Sequence, residues 1–240
     1  EYLIVRRQGT DWGNSALTAY TVDAFINSGT SWASNPVAPY VTFGDRPVAI
    51  SDMDGRKGVI DAAIADTGAG TLTLDKHSDV PAYGAVTDVY TAEASKIDAF
   101  TDGEVSIDKM LTVTAADGKT YAIGEDTAVP VGSTVTVRLT IKADRPFSTI
   151  TISDERPAGL IPQEQVSQYV WNYALGAYRE SRPDRTNFYI YYMPKGVYVY
   201  EYTLYATVAG TYTSGIATVT CDQAPDLTAH SSGSRLTITK

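Results

Sequence analysis

Between residues 15 and about 27, Leu17, Tyr20, Thr21, Ala24 and Phe25 recur at the three- and four-residue spacing of one helix face. Asn14 stands where an N-cap side chain accepts a bond from a first-turn amide. Gly29 offers a stop and Pro36 bars continuation. This apolar helix has little near it in sequence to pack against, which predicts a neighbouring element outside the chain. Beyond Pro36 the period shortens to that of strands. Residues 41–43, 48–50, 71–74 and 85–91 read as short strands, separated by Gly, Asp and Pro. Residues 59–64 fit a strand or a helical turn equally, and residues 3–5 fit a strand or the end of a preceding helix.

A second set of strands begins near residue 101. Val105, Ile107 and the run 111–115 lead into Asp117-Gly118, a tight-hairpin signal, and 121–123 returns. Val135, Val137, Leu139 and Ile141 share one face of 134–141, and 147–152 alternates again. Segments 188–192, 197–208, 216–221 and 235–239 complete the set. This spacing of strands and turns predicts an immunoglobulin-like β-sandwich at the C-terminal end, a smaller β domain before it and a short α-helical N-terminal segment. In 197–205, Tyr198, Tyr200, Tyr202 and Leu204 line one face, and both faces read as partly covered. Between Pro162 and Arg185 the alternation lapses, which predicts an exposed loop, a short helix or an inter-domain contact. Trp171, with Tyr169, Tyr173 and Tyr178 around it, makes this stretch the candidate interaction surface.

Composition supports the β reading: 17 tyrosines stand beside 5 phenylalanines, and tyrosine suits a half-buried sheet with its hydroxyl near water. The net charge of −9, with Arg6-Arg7 and Arg56-Lys57 the only adjacent basic pairs, argues against nucleic acid. No apolar run approaches the roughly 20 residues that span a bilayer. A single cysteine, Cys221, precludes an internal disulfide and leaves the redox compartment open. The opening Glu1-Tyr2-Leu3, without an initiator Met, reads as a piece cut from a longer protein whose targeting information lies upstream.

Three stretches in order carry a family resemblance. The first is Asp154-Glu155-Arg156-Pro157-Ala158-Gly159-Leu160-Ile161-Pro162. The second runs from Arg182-Pro183-Asp184-Arg185-Thr186-Asn187-Phe188 through Met193-Pro194-Lys195-Gly196-Val197-Tyr198 to Ala209-Gly210-Thr211-Tyr212. The third is the segment 216–221 with Ala224-Pro225-Asp226, ending near Ser231-Ser232-Gly233. Together they resemble the C-terminal macroglobulin-like domain of bacterial alpha-2-macroglobulins.

That resemblance implies three parts: residues 1–35 as the terminal helix of an α-toroid domain, 36–100 as the second half of a CUB-like β domain, and 101–240 as the macroglobulin-like sandwich. It implies a structural and interaction region of a broad-spectrum protease trap in the bacterial envelope. The place would be the periplasm or cell surface, with a lipid anchor upstream as an option. The implied partners are other domains of the parent and, through the parent, proteases. The family's thioester needs Cys-x-Glu-Gln, and Cys221-Asp222-Gln223 is not that motif.

Other chemistry finds little support. His77 and His230 lack a G-x-S-x-G elbow and are expected on surface loops, and with one cysteine they give no zinc spacing. Asp52-x-Asp54-Gly55 holds part of a calcium loop and is read as a turn. Asp154 and Glu155, neighbours in a strand, point to opposite faces and make no glycosidase pair; Asp184-Arg185 reads as an ion-paired turn. No cofactor, metal or catalytic set is expected. A cell-surface adhesin or carbohydrate-binding module is the alternative, because Tyr and Trp on a flat sheet stack on sugars.

Overall fold

The computed structural model describes residues 12, 14–28, 39–48, 63–64, 68, 70–77, 89, 91–101, 103–115, 118–124, 127–172, 175–222 and 224–240. They divide into two compact units, one holding the described residues up to 77 and the other those from 89 onward. The protein is mainly β.

The first unit begins with helix α1, Ser15–Ile26, where Asn14 caps the first turn as expected: its Oδ1 accepts the Leu17 N–H at 2.9 Å. Trp12 and Phe25 bring their rings within 6.1 Å. Leu17 is 52% exposed, and Tyr20 and Ile26 are more so. Strands β1, Tyr40–Phe43, β2, Arg46–Pro47, and β3, Leu72–Asp75, form an antiparallel sheet in the order β2-β1-β3. The expected elements at 3–5 and most of those at 59–64 and 85–91 lie outside the described residues, as do Gly29, Pro36 and the turn Asp52–Gly55.

The second unit is a sandwich. Its first sheet contains β5, Val105–Thr114, β6, Thr120–Ala122, β8, Thr134–Ala143, β10, Leu160–Pro162, and β14, Gly196–Ala206, in the order β10-β14-β8-β5-β6. Its second contains β4, Phe100–Thr101, β9, Phe147–Glu155, β11, Gln168–Asn172, β12, Leu175–Ser181, β13, Arg185–Met193, β16, Ala217–Cys221, and β17, Ala224–His230, in the order β11-β12-β13-β9-β16-β17-β4. A small third sheet joins β7, Ala128–Pro130, β15, Gly210–Thr213, and β18, Arg235–Thr239, in the order β15-β18-β7.

Period-two alternation explains the core. Ile107, Leu111 and Val113 of β5 face inward beside Ile141, Val137 and Val135 of β8, their cross-strand partners. On β14, Tyr200, Tyr202 and Leu204 sit opposite Leu139, Val137 and Val135. The second sheet answers with Ile150 and Ile152 of β9, Phe188 and Ile190 of β13 and Val219 of β16. Phe188 joins the layers, its ring 4.9 Å from that of Tyr200 and 6.1 Å from that of Tyr202.

One expectation needs correction. Residues 163–185 are not a loop or short helix but hold the β11–β12 hairpin; its large aromatics point outward, so the pattern of buried apolar positions is missing. The inner face of β14 is buried and its outer face partly covered, as expected: Val199 and Thr203 are half-buried there beside exposed Val197, Glu201 and Tyr205. The expected hairpin is present: β5 and β6 pair antiparallel, and the described Gly118 adopts φ +79° and donates its N–H to Ala115 O at 2.9 Å.

Candidate functional site

The β11–β12 hairpin brings three of the four candidate aromatics onto one surface. Tyr169 faces Tyr178 across the pair, ring centroids 5.2 Å apart at 67°. Trp171 faces Gly176, and its six-membered ring covers that glycine so closely that a Cβ there would lie 3.1 Å from the indole. Tyr178 in turn neighbours Tyr189 of β13. Trp171 is 77% and Tyr169 73% exposed, so the aromatic stripe is presented to solvent rather than to the core. Tyr173 lies outside the described residues.

A second constellation lies inside the sandwich and was not singled out from the sequence. Lys109 occupies the inward row of β5 between Ile107 and Leu111, and Asp154 follows Ile150 and Ile152 on the inward row of β9. Lys109 Nζ sits 2.6 Å from Asp154 Oδ1, with both side chains almost fully buried. The ammonium also donates to Glu155 O and Ser214 O, each at 2.9 Å. Tyr202 donates its hydroxyl to Asp154 Oδ2. Burial pushes the Asp154 carboxyl up from its ordinary range, against the pull of Lys109 and Tyr202. Burial likewise raises the Tyr202 hydroxyl, helped by the adjacent carboxylate. The signal was present in strand parity: the three polar side chains continue inward rows that begin with Ile107 on β5, Ile150 and Ile152 on β9 and Tyr200 on β14.

Arg156, just beyond β9, ties this cluster to a turn. Its Nη1 donates to Arg182 O at 2.7 Å and Pro183 O at 3.1 Å, and its Nη2 to Thr186 Oγ1 at 2.8 Å. The expected Asp184–Arg185 pair closes the outside of the same turn at 2.8 Å. Gly159 lies beneath Tyr212, where a Cβ would come 2.4 Å from the ring. The segments 154–162, 182–188 and 209–212, separate in sequence, thus interlock in space.

Residues 105–226 match the family model of the bacterial alpha-2-macroglobulin MG10 domain. The chain belongs to the bacterial alpha-2-macroglobulin family. The MG10 match opens on the first residue of β5 and ends within β17, yet β18 beyond it supplies the buried Leu236 and Ile238.

Among solved structures, native alpha-2-macroglobulin from Escherichia coli, from domain MG7 to the C-terminus, is 19% identical over 61% of this chain and 25% of that one, with a TM-score of 0.49. Trypsin-activated alpha-2-macroglobulin from the same organism is 18% identical over 60% of this chain and 11% of that one, at 0.48. Salmonella alpha-2-macroglobulin reacted with methylamine is 18% identical over 93% of this chain and 15% of that one, at 0.49. The chain therefore spans no more than a quarter of these relatives. No curated protein matches it.

The MG10 fold also places the residues considered for chemistry. Cys221 is buried, its Sγ 3.2 Å from Ser148 O. His230 is not on a loop: it ends β17, half-buried, with its ring stacked 5.8 Å from that of Phe100. In the other unit, exposed His77 lies 3.2 Å from Asp75. No helix among the described residues is long and apolar enough to cross a membrane.

Proposed function

We propose that this chain is a non-enzymatic structural and interaction region of a broad-spectrum protease trap in the bacterial cell envelope. The observation that carries the reading is the MG10 match over residues 105–226. On this reading residues 1–35 end an α-toroid domain, 36–100 belong to a CUB-like β domain, and 101–240 form the C-terminal macroglobulin-like sandwich. The partners are other domains of the same protein and, through them, proteases; the setting is the periplasm or cell surface.

Two features support an interaction role. Exposed Trp171, Tyr169 and Tyr178 give the second sheet a wide aromatic surface, the residue types enriched where proteins dock. Exposed Leu17, Tyr20 and Ile26 leave the apolar residues of α1 uncovered. The rigid, interlocked sandwich would present the aromatic surface to a neighbouring domain.

The test is to incubate the full-length protein with trypsin. Cleavage should produce a change in hydrodynamic size, and the bound protease should keep activity on small substrates while losing it on large ones. If neither occurs, the reading fails. Glycan binding by the folded chain that disappears in Trp171→Ala would favour the carbohydrate-binding alternative, which the same aromatic stripe supports.

A further inference from the structure

Arg179 is an odd residue for its place. Leu175, Ala177 and Arg179 form the inward row of β12, and Arg179 stands in a cross-strand row that runs from Gln168 through Phe188 and Ile152 to Val219. Its side chain is only 8% exposed. A cation on the inner face of a sandwich is costly unless something pairs with it.

What pairs with it is Glu164, from the irregular connection between β10 and β11. Arg179 Nη2 donates to Glu164 Oε2, and that hydrogen bond holds the Glu164 carboxyl below its ordinary range. Glu164 itself is 60% exposed. The buried Nε of Arg179 has no partner among the described residues, so the guanidinium fork is only partly used. Beside it opens a cleft of about 290 Å³, whose walls carry the polar side chains of Gln163, Ser181, Thr186 and Thr203. Glu201, on the same wall, is already neutralised by Arg138 at 2.9 Å.

We propose that this cleft is a carboxylate-binding site, with Arg179 as its anchor and Glu164 as its built-in occupant. A carboxylate from outside, free or on an acidic peptide side chain, enters by displacing Glu164. The planar fork of Arg179 suits a carboxylate better than a point charge would, because two parallel N–H bonds fix the incoming group. The volume fits one small acid or one side chain. Glu164 is tethered lightly, by Gln168 Nε2 at 3.2 Å and by the neighbouring Gln163 N–H on Thr203 O at 3.0 Å, so swinging outward disturbs little of the sheet. This site is independent of the protease-trap reading.

The experiment titrates the full chain and its Glu164→Gln variant with glutarate, with the peptide acetyl-Gly-Glu-Gly-amide, and with neutral glutaramide, by calorimetry. With the internal carboxylate filling the site about nine-tenths of the time, Glu164→Gln should bind glutarate or the peptide about tenfold more tightly than the wild type. Glutaramide should not bind, and Arg179→Gln in the same background should abolish binding. Tighter binding of the peptide identifies a protein segment as the source; equal or tighter binding of glutarate identifies a free acid. The proposal is overturned if Glu164→Gln binds neither carboxylate, binds glutaramide as well as glutarate, or keeps its binding without Arg179. Where Arg179→Gln unfolds the chain, the glutarate–glutaramide contrast decides alone, and wild type at millimolar glutarate must show it at lower affinity through the Arg179 Nε NMR signal.

Discussion

Lys109 and Asp154 meet across the sandwich, Nζ to Oδ1 at 2.6 Å, one from a strand of the first sheet and one from the middle of the second. The pair links the two sheets through two almost fully buried charges, with the Arg156 charge also acting on the carboxylate. Lys109→Met should therefore destabilise the fold by about 3–5 kcal/mol, the cost of stranding a buried carboxylate. The triple variant Lys109→Met, Asp154→Leu, Tyr202→Phe removes every member and should recover most of that loss. Urea unfolding of the single and triple variants checks both; equal losses would show that the site's shape, not its charge, is what matters.

Gly159 is held to glycine by packing. A methyl group at that position would stand 2.4 Å from the Tyr212 ring and 2.8 Å from Ile238 Cδ1. Gly159→Ala should cost about 1–3 kcal/mol, as overpacking does. Adding Tyr212→Leu should restore part of the loss, read as a partial recovery of the melting temperature.

Thr149 is the one described non-glycine residue with positive φ, +55°, and it lies within β9. A β-branched residue is poorly suited to the left-handed region, where asparagine is tolerated. Thr149→Asn should raise stability by up to about 1 kcal/mol, since the Asp222 N–H bond to the Thr149 backbone oxygen is untouched. Denaturant midpoints of the two proteins test it.

Glu180 links β12 to β13. It accepts from Asn187 Nδ2 at 2.9 Å and Tyr189 OH at 2.8 Å, and pairs with Arg182 at 2.9 Å. The Arg182 bond above all, then those from Asn187 and Tyr189, lower its carboxyl from 4.5 to about 2. A carboxyl depressed on folding adds stability that is present above its unfolded value and lost as pH falls through the folded one. Thermal stability of the wild type should therefore fall from about pH 4.5 toward 2 more steeply than that of Glu180→Gln.

Much of this was written locally. The alternation of Val135, Val137, Leu139 and Ile141 sufficed to place β8 and its buried face, and the Asn14 cap placed the start of α1. The three motifs in order pointed to the family, because each turn carries its own proline or glycine requirement. Hydrophobic period and turn chemistry are properties of neighbouring residues, so they survive in a linear reading. The role of Asp154 did not, although its place in the first motif was plain. Its partners Lys109 and Tyr202 sit on other strands, in the other sheet, and nothing in local periodicity encodes which strands pair. The β11–β12 hairpin escaped for a related reason: Tyr169 and Trp171 face solvent, so no buried stripe announced a strand. Arg179 and Glu164 likewise meet only when a connection crosses from one sheet to the other. The sequence alone determined the elements with a buried stripe and the family likeness; long-range pairing decided which polar groups lie inside, because burial and partnership exist only after the sheets have closed.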